Sequence, residues 1–240
     1  MTGVSVPSTE RISLGETAYQ HLRAEIVSCR LAPGERLTER SLAESTGFGI
    51  SPIRDALTRL DHDGLVRTLP RKGYQVMPLT LKSVDDLFTL WGIVGPEIAR
   101  LGVRDANPER RQRAIDAFAA LAELNRGEPS ADRDAALRLV DQAAEAFAIL
   151  AEATENEYLI SIYQRLQSDM ARVWALISEA DPSVPDVAID EDWPGVLTRR
   201  DGNAAAAYVE AYVKESHRRI LRILSRWPSV VSSEIISLRG

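Results

Sequence analysis

The chain has 240 residues, 45% of them hydrophobic, and a formal net charge of -6. That length holds one large domain or two small ones with ample core, and no apolar run approaches the ~20 residues needed to span a bilayer. The single cysteine, Cys29, excludes an internal disulfide and fits a reducing compartment.

The charge is unevenly divided. Residues 1–78 carry ten Lys/Arg against nine Asp/Glu, whereas residues 79–240 carry nineteen against twenty-six. An acidic second half does not prevent the first from meeting phosphate, because fields are local and screened within ~10 Å at 0.1 M salt. The opening "MTGVSVPSTERIS" lacks the charged start and apolar core of a secretory leader, so a cytoplasmic location is expected.

Residues 1–13 read as a polar arm. From Glu16 to about Cys29, Ala18, Leu22 and Ile26 recur at helical spacing, and "LAPGERL" then reads as a turn. A short helix is predicted from a Thr38 cap to a stop at Gly47. The stretch "SPIRDALTRL" opens another, with Ser51 as N-cap and Pro52 at its first helical position. Ile53, Ala56, Leu57 and Leu60 would face a core, leaving Ser51, Arg54, Asp55 and Thr58 outward. Only "GFGI" separates the two, the spacing of a helix-turn-helix. Residues 65–76 alternate as two short strands around a Pro-Arg-Lys-Gly tip.

After a linker into "PLTLKSVDDLF", with a capping-box pattern at Ser83 and Asp86, the rest reads as helix. Helices are predicted over 84–103, with Gly95-Pro96 as a kink or break, and over 108–124, 132–154, 157–178, 193–200 and 203–225. The fold class is mainly α: a winged helix-turn-helix over 1–78, then an all-α antiparallel bundle over 79–240.

The run "GERLTERSLAESTGFGISPIRDALTRLDHDGLVRTLPRKGYQV" resembles the winged helix-turn-helix of GntR-type bacterial transcription regulators. "ERSLAE", "SPIRDALTRL" followed by "DGLV", and the "RKG" wing tip carry it. The helical remainder, entered at "SVDDLF" and holding "NEYL" and "RDGNAAAA", resembles the FCD effector domain of the FadR-like branch. This implies a homodimer that binds double-stranded DNA at a near-palindromic operator and takes a small-molecule effector, a metabolite, in its bundle. The positions matching DNA contacts are Arg40, Ser51, Arg54, Arg71, Lys72 and Gly73. An Arg there grips phosphate or forks onto guanine; the bland alternative is a solvated charge or an intrahelical ion pair. Ile50 stands where the family's commonest pattern has an arginine that often contacts a base.

Many FCD domains also hold a divalent metal through an Asp or Asn and three His. Here Ala144 and Ala148 occupy two of those positions, and Asp190 and Tyr212 fall closest to the others. The resemblance therefore implies no metal and a more apolar pocket lined by Ala144, Phe147, Ala148, Asp190 and Tyr212. No cofactor motif or catalytic constellation is present in the sequence, so no enzyme is expected. The rival reading is a helical small-molecule binding protein or enzyme whose winged head serves protein contacts.

Overall fold

The computed structural model describes residues 13–125, 133–180 and 192–227. These divide into two compact units, one built from residues up to 26 with 35–77, the other from 27–34 with 78 onward.

In the first unit, helix α1 (Leu14–Val27) is followed by a two-residue strand β1 (Arg36–Leu37), then α2 (Glu39–Thr46) and α3 (Ile50–His62). Strands β2 (Val66–Leu69) and β3 (Gly73–Val76) complete an antiparallel sheet in the order β1-β3-β2. The core is where the apolar spacing put it. Ala18, Leu22 and Ile26 are buried with Leu42, Ile53, Ala56, Leu57 and Leu60. Thr38 caps α2 by accepting from the Ser41 amide, and Gly47 ends it in the left-handed region at φ 77°.

Three local expectations change. The turn at 31–37 contains β1, too short to show a period; its register pairs Arg36 with Gln75 and Leu37 with Tyr74. The cap of α3 is Gly49, not Ser51: Gly49 is extended (φ -69°, ψ 162°) and its carbonyl accepts the Ile53 amide at 3.2 Å. Ser51 and Pro52 lie inside the first turn, where amides lack intrahelical partners, so proline costs nothing there. α1 stops at Val27, and Cys29 takes φ 57°.

The second unit holds, among the described residues, α4 (Leu81–Asp105), α5 (Pro108–Asn125), α6 (Arg133–Ala153), α7 (Glu157–Ala180), α8 (Trp193–Arg199) and α9 (Gly202–Leu224). α4 begins with a capping box one turn earlier than the sequence pattern, Thr80 being the cap and Ser83 its N3 partner. Pro96 does not break it. The proline removes only the amide that would reach the Gly92 carbonyl, and Gly92 is exposed to water. The buried series Val84, Leu87, Phe88, Trp91, Gly95, Ile98, Ala99, Gly102 and Val103 turns one continuous stripe inward.

α9 runs antiparallel to α4. Gly202 lies against the Arg100 carbonyl, Gly92 faces Val213, and Phe88 stacks on His217 with centroids 5.5 Å apart. The His217 Nε2 is 2.9 Å from Asp85, so this histidine is a rim residue tied to α4. On α7, Leu166 and Val173 are buried as expected, while Ile162 is exposed. Arg200 donates to the Arg104 carbonyl at 3.0 and 2.7 Å, serving the orphan end of α4. The arm at 1–12, Asp190 and the tail from 228 lie outside the described residues.

At Gly102 a Cβ would collide with the Leu150 carbonyl of α6, a backbone group that cannot swing aside. Gly102→Ala should therefore destabilise the helical unit by roughly 2–3 kcal/mol, read as a lower urea midpoint. An unchanged midpoint would show that α4 and α6 separate at little cost.

Candidate functional site

The outward face of α3 is the expected one. Ser51, Arg54, Asp55 and Thr58 are exposed, and Ile50 at the helix start is 43% exposed. An apolar side chain stands there in water beside the amides that begin the helix.

Arg54 is not loose. Its Nε donates to Glu39 Oε1 at 2.9 Å and its terminal nitrogen to Oε2 at 2.8 Å, a fork that ties α3 to the first turn of α2. The hydrogen bond from Arg54 holds the Glu39 carboxyl below its ordinary value and raises the arginine in turn. The pair is largely solvated, so its role is to orient the guanidinium rather than to stabilise the unit. Nothing in the spacing of Glu39 and Arg54, fifteen residues apart, announces the contact.

Arg40 donates to Glu44 at 2.9 Å, with both side chains well exposed. Such an i,i+4 pair is worth only a few tenths of a kcal/mol and gives way readily to phosphate. The orientation of α3 against α1 rests on polar contacts that spacing also does not reveal. Arg59 reaches Glu16 at 2.6 Å and lies 3.9 Å over the Tyr19 ring, and the Tyr19 hydroxyl donates to Asp63 at 2.7 Å.

The wing tip is a tight turn closed by the Lys72 amide on the Leu69 carbonyl at 2.9 Å. Arg71 occupies its third position at φ 62°, where a glycine is preferred. Gly73 follows at φ 82°, and a Cβ there would meet the Leu37 carbonyl, so only glycine lets β3 lie against β1. Arg71 and Lys72 are exposed and make no ion pair among the described residues. The head thus presents Arg40, Arg54 and Ser51 on its helices and two cations at its hairpin tip.

Residues 14–76 match the family model for bacterial regulatory proteins, gntR family. The head is therefore similar to the gntR-family helix-turn-helix. The match covers this head, not the whole chain. A transcriptional regulator of Bacillus subtilis, YdhC, is 39% identical over 72 residues, which are 30% of this chain and 32% of that protein. An HTH-type regulator of Agrobacterium vitis is 32% identical over 107 residues, covering 44% and 61%. The chain therefore spans less than two thirds of the length of either relative. Among solved structures, E. coli McbR/YncC superposes with a TM-score of 0.70 at 16% identity, over 89% of this chain and 99% of that one. A GntR regulator from Rhodococcus superposes at 0.59 and 17% identity, over 87% and 97%. At such identities the likeness extends to the fold: a gntR-type head followed by a helical unit.

The helical unit contains a cavity of about 50 Å³ between α4, α6, α7 and α9. Ala144, Phe147 and Tyr212, three of the expected residues, line it. Ala148 packs partly buried against the core without reaching the cavity, because four residues past Ala144 the side chain has moved along α6. Trp91, Tyr163, Met170 and Trp174 complete much of the wall; they belong to ordinary apolar stripes, so the sequence did not separate them from core. The Tyr163 hydroxyl donates to the Ala144 carbonyl at 2.7 Å, and burial pushes its pKa up, so it stays a neutral donor. The lining does not fit a divalent metal. Alanine at 144 has no lone pair, and the described residues hold no cluster of three or more His, Cys, Asp or Glu.

Holding Arg71 at φ 62° costs about 1 kcal/mol relative to glycine. Arg71→Gly should leave the head as stable as before or up to roughly 1 kcal/mol more so, while binding duplex DNA more weakly. A variant that loses stability would mean that the Arg71 side chain holds the wing.

Proposed function

We propose that the chain is a DNA-binding transcriptional regulator whose helical unit takes a small-molecule effector. The match of residues 14–76 to the gntR family carries this reading. The exposure of Arg40, Ser51, Arg54, Arg71 and Lys72 on the helix-turn-helix and its wing supports it. In this reading α3 enters the major groove, with Arg54 aimed by Glu39, and the wing tip meets the backbone or minor groove. Gly73 lets the wing tip close. Ile50 packs rather than donates, against a thymine methyl for example, so the operator differs from those read by an arginine there. Several relatives are named as transcriptional regulators, among them the E. coli repressor RspR, which agrees with a non-enzymatic role.

The helical unit is in this reading an FCD-like effector domain of the FadR-like branch, reaching from 79 to the end, and a homodimer forms through it. The exposed Leu90 and Ile93 of α4 and Tyr158 and Ile162 of α7 favour a second copy as cover. Between α4 and α7 the groove floor is apolar and Asp86, Arg165 and Asp169 stand around it, a charge mixture that suits self-pairing about a two-fold axis. Occupancy of the cavity shifts the balance between DNA-competent and incompetent arrangements. The regulator works in the cytoplasm.

DNA binding is tested by fluorescence anisotropy with operator selected from random duplexes. Affinity should fall steeply with salt through counterion release, and Arg54→Ala should weaken it about tenfold or more with the unfolding midpoint unchanged. Salt-independent association, or an Arg54→Ala variant of full affinity, would favour a head that contacts protein instead.

The effector cavity is expected to work without a transition metal, since Ala144 and Ala148 stand in two ligand positions and a phenol at Tyr212 is a poor remainder. Elemental analysis of chelator-free protein should find zinc, nickel and manganese well below stoichiometric. Tight stoichiometric metal would overturn this part.

A further inference from the structure

One residue in the wall of the helical unit's cavity carries a buried donor with an unmet demand. Trp91 is 2% exposed and forms part of the wall, yet its indole Nε1 is buried with no hydrogen-bond partner among the described residues. A buried donor left unpaired is costly, and it is retained only where something else supplies the acceptor. The ring has little freedom to seek one. Phe147 meets it edge-on at 5.7 Å and 88°, Tyr163 sits at 5.6 Å, and the Gly95 backbone one turn on presses against its face. A Cβ at position 95 would come within 3.0 Å of the indole, so glycine there seats the tryptophan.

The neighbours define the partner. Val140, Ala143, Leu166 and Met170 are apolar, and the Tyr163 hydroxyl is already committed to the Ala144 carbonyl. Among the described residues no Lys, Arg or His lines the space. A carboxylate placed there would be a buried charge without a counter-ion, which is heavily penalised. Gln167 and Tyr212 are the other polar side chains of the wall, and the apolar remainder gives a water few of the two to four partners it needs.

Resting on the reading of this cavity as the effector site, we propose that its ligand is a small neutral organic molecule. It has an apolar or aromatic body and one carbonyl-type acceptor, received by the Trp91 Nε1–H as the specificity-determining contact. At about 50 Å³ the space is smaller than the ~150 Å³ that holds a benzene ring in an engineered core. A ring-sized ligand therefore displaces wall side chains. Met170 and Gln167, unbranched and only half-buried, are the ones free to swing. Entry of ligand is thus coupled to movement on α7.

The test uses the full-length chain labelled with nitrogen-15 and three probes. Acetophenone and α-methylstyrene share a skeleton and differ in C=O against C=CH₂; benzoate carries the charged group. The Trp91 indole resonance is assigned in the wild type from its through-space contacts to the Phe147 and Tyr163 rings, and checked by its loss in Trp91→Phe. Acetophenone should shift that resonance downfield and bind about tenfold tighter than α-methylstyrene, with benzoate weaker than acetophenone. In Trp91→Phe the preference for acetophenone should shrink below about twofold, as expected when the donor is gone. Should that variant fail to fold, the wild-type resonance decides: a downfield shift with acetophenone and none with α-methylstyrene supports the contact.

Equal affinities in the wild type, or a preference that survives Trp91→Phe, would remove Trp91 as the recognising group while leaving the cavity a ligand site. Benzoate binding tightest would overturn the neutral class. If no probe moves the backbone amide resonances of Ala143 and Ala144 at millimolar concentration, the cavity is not an effector site at all, and the proposal falls with that reading.

Discussion

Two backbone contacts at glycine fix the helical unit. Gly102 of α4 lies against the Leu150 carbonyl of α6, and Gly202 at the start of α9 lies against the Arg100 carbonyl of α4. With no Cβ in the way, three helices meet at backbone distance near one end of α4. Away from that end larger side chains hold them apart: Trp91 against Phe147, Val213 opposite Gly92, and His217 stacked on Phe88. The cavity sits on this wider side. Its position follows from where the glycines are, because a close-packed interior leaves space only where the facing side chains fail to interlock.

The head is organised differently. Its apolar core is small, so the angles between its helices depend on polar contacts at the edge of that core. Tyr19, Arg59, Glu16 and Asp63 fix α1 to α3, and Glu39 with Arg54 fixes α3 to α2. Each exposed pair adds little free energy. What the pairs supply is direction. A guanidinium already forked onto a carboxylate loses fewer rotamers on meeting a third group than one waving in water.

Much of this was legible in the chain, for reasons that differ by element. The helices of the head were readable because Ala18, Leu22 and Ile26, and Ile53, Leu57 and Leu60, each repeat with the helical period. Strand β1 was not, since two residues show no alternation and its partner lies some forty residues away. The Ser51 cap was misread because Gly49, two residues earlier, satisfies the same backbone requirement without a side chain. Continuity of α4 through Pro96 depends on packing against α9, which overrides local preference. On the outward face of α3, exposure of Arg54 followed from spacing, but its Glu39 partner did not. In the helical unit Phe147 and Tyr212, named through the family likeness, line the cavity. Trp91, which periodicity assigns to core, stands out only once its nitrogen is seen to lack an acceptor.

The segment 27–34 gives the chain an unusual connectivity. In sequence it lies between α1 and β1, inside the run that makes the head, yet it packs in the helical unit, where Cys29 is buried and its thiol donates to the Arg172 carbonyl. The polypeptide therefore passes between the two units three times rather than once. The head is consequently not a detachable cassette. A fragment ending near residue 77 carries Cys29 and its apolar neighbours stripped of their cover, and one beginning at 78 lacks part of its own core. Any recombination that swaps heads among such proteins has to move this loop with the helical body, splitting the donor sequence in two places.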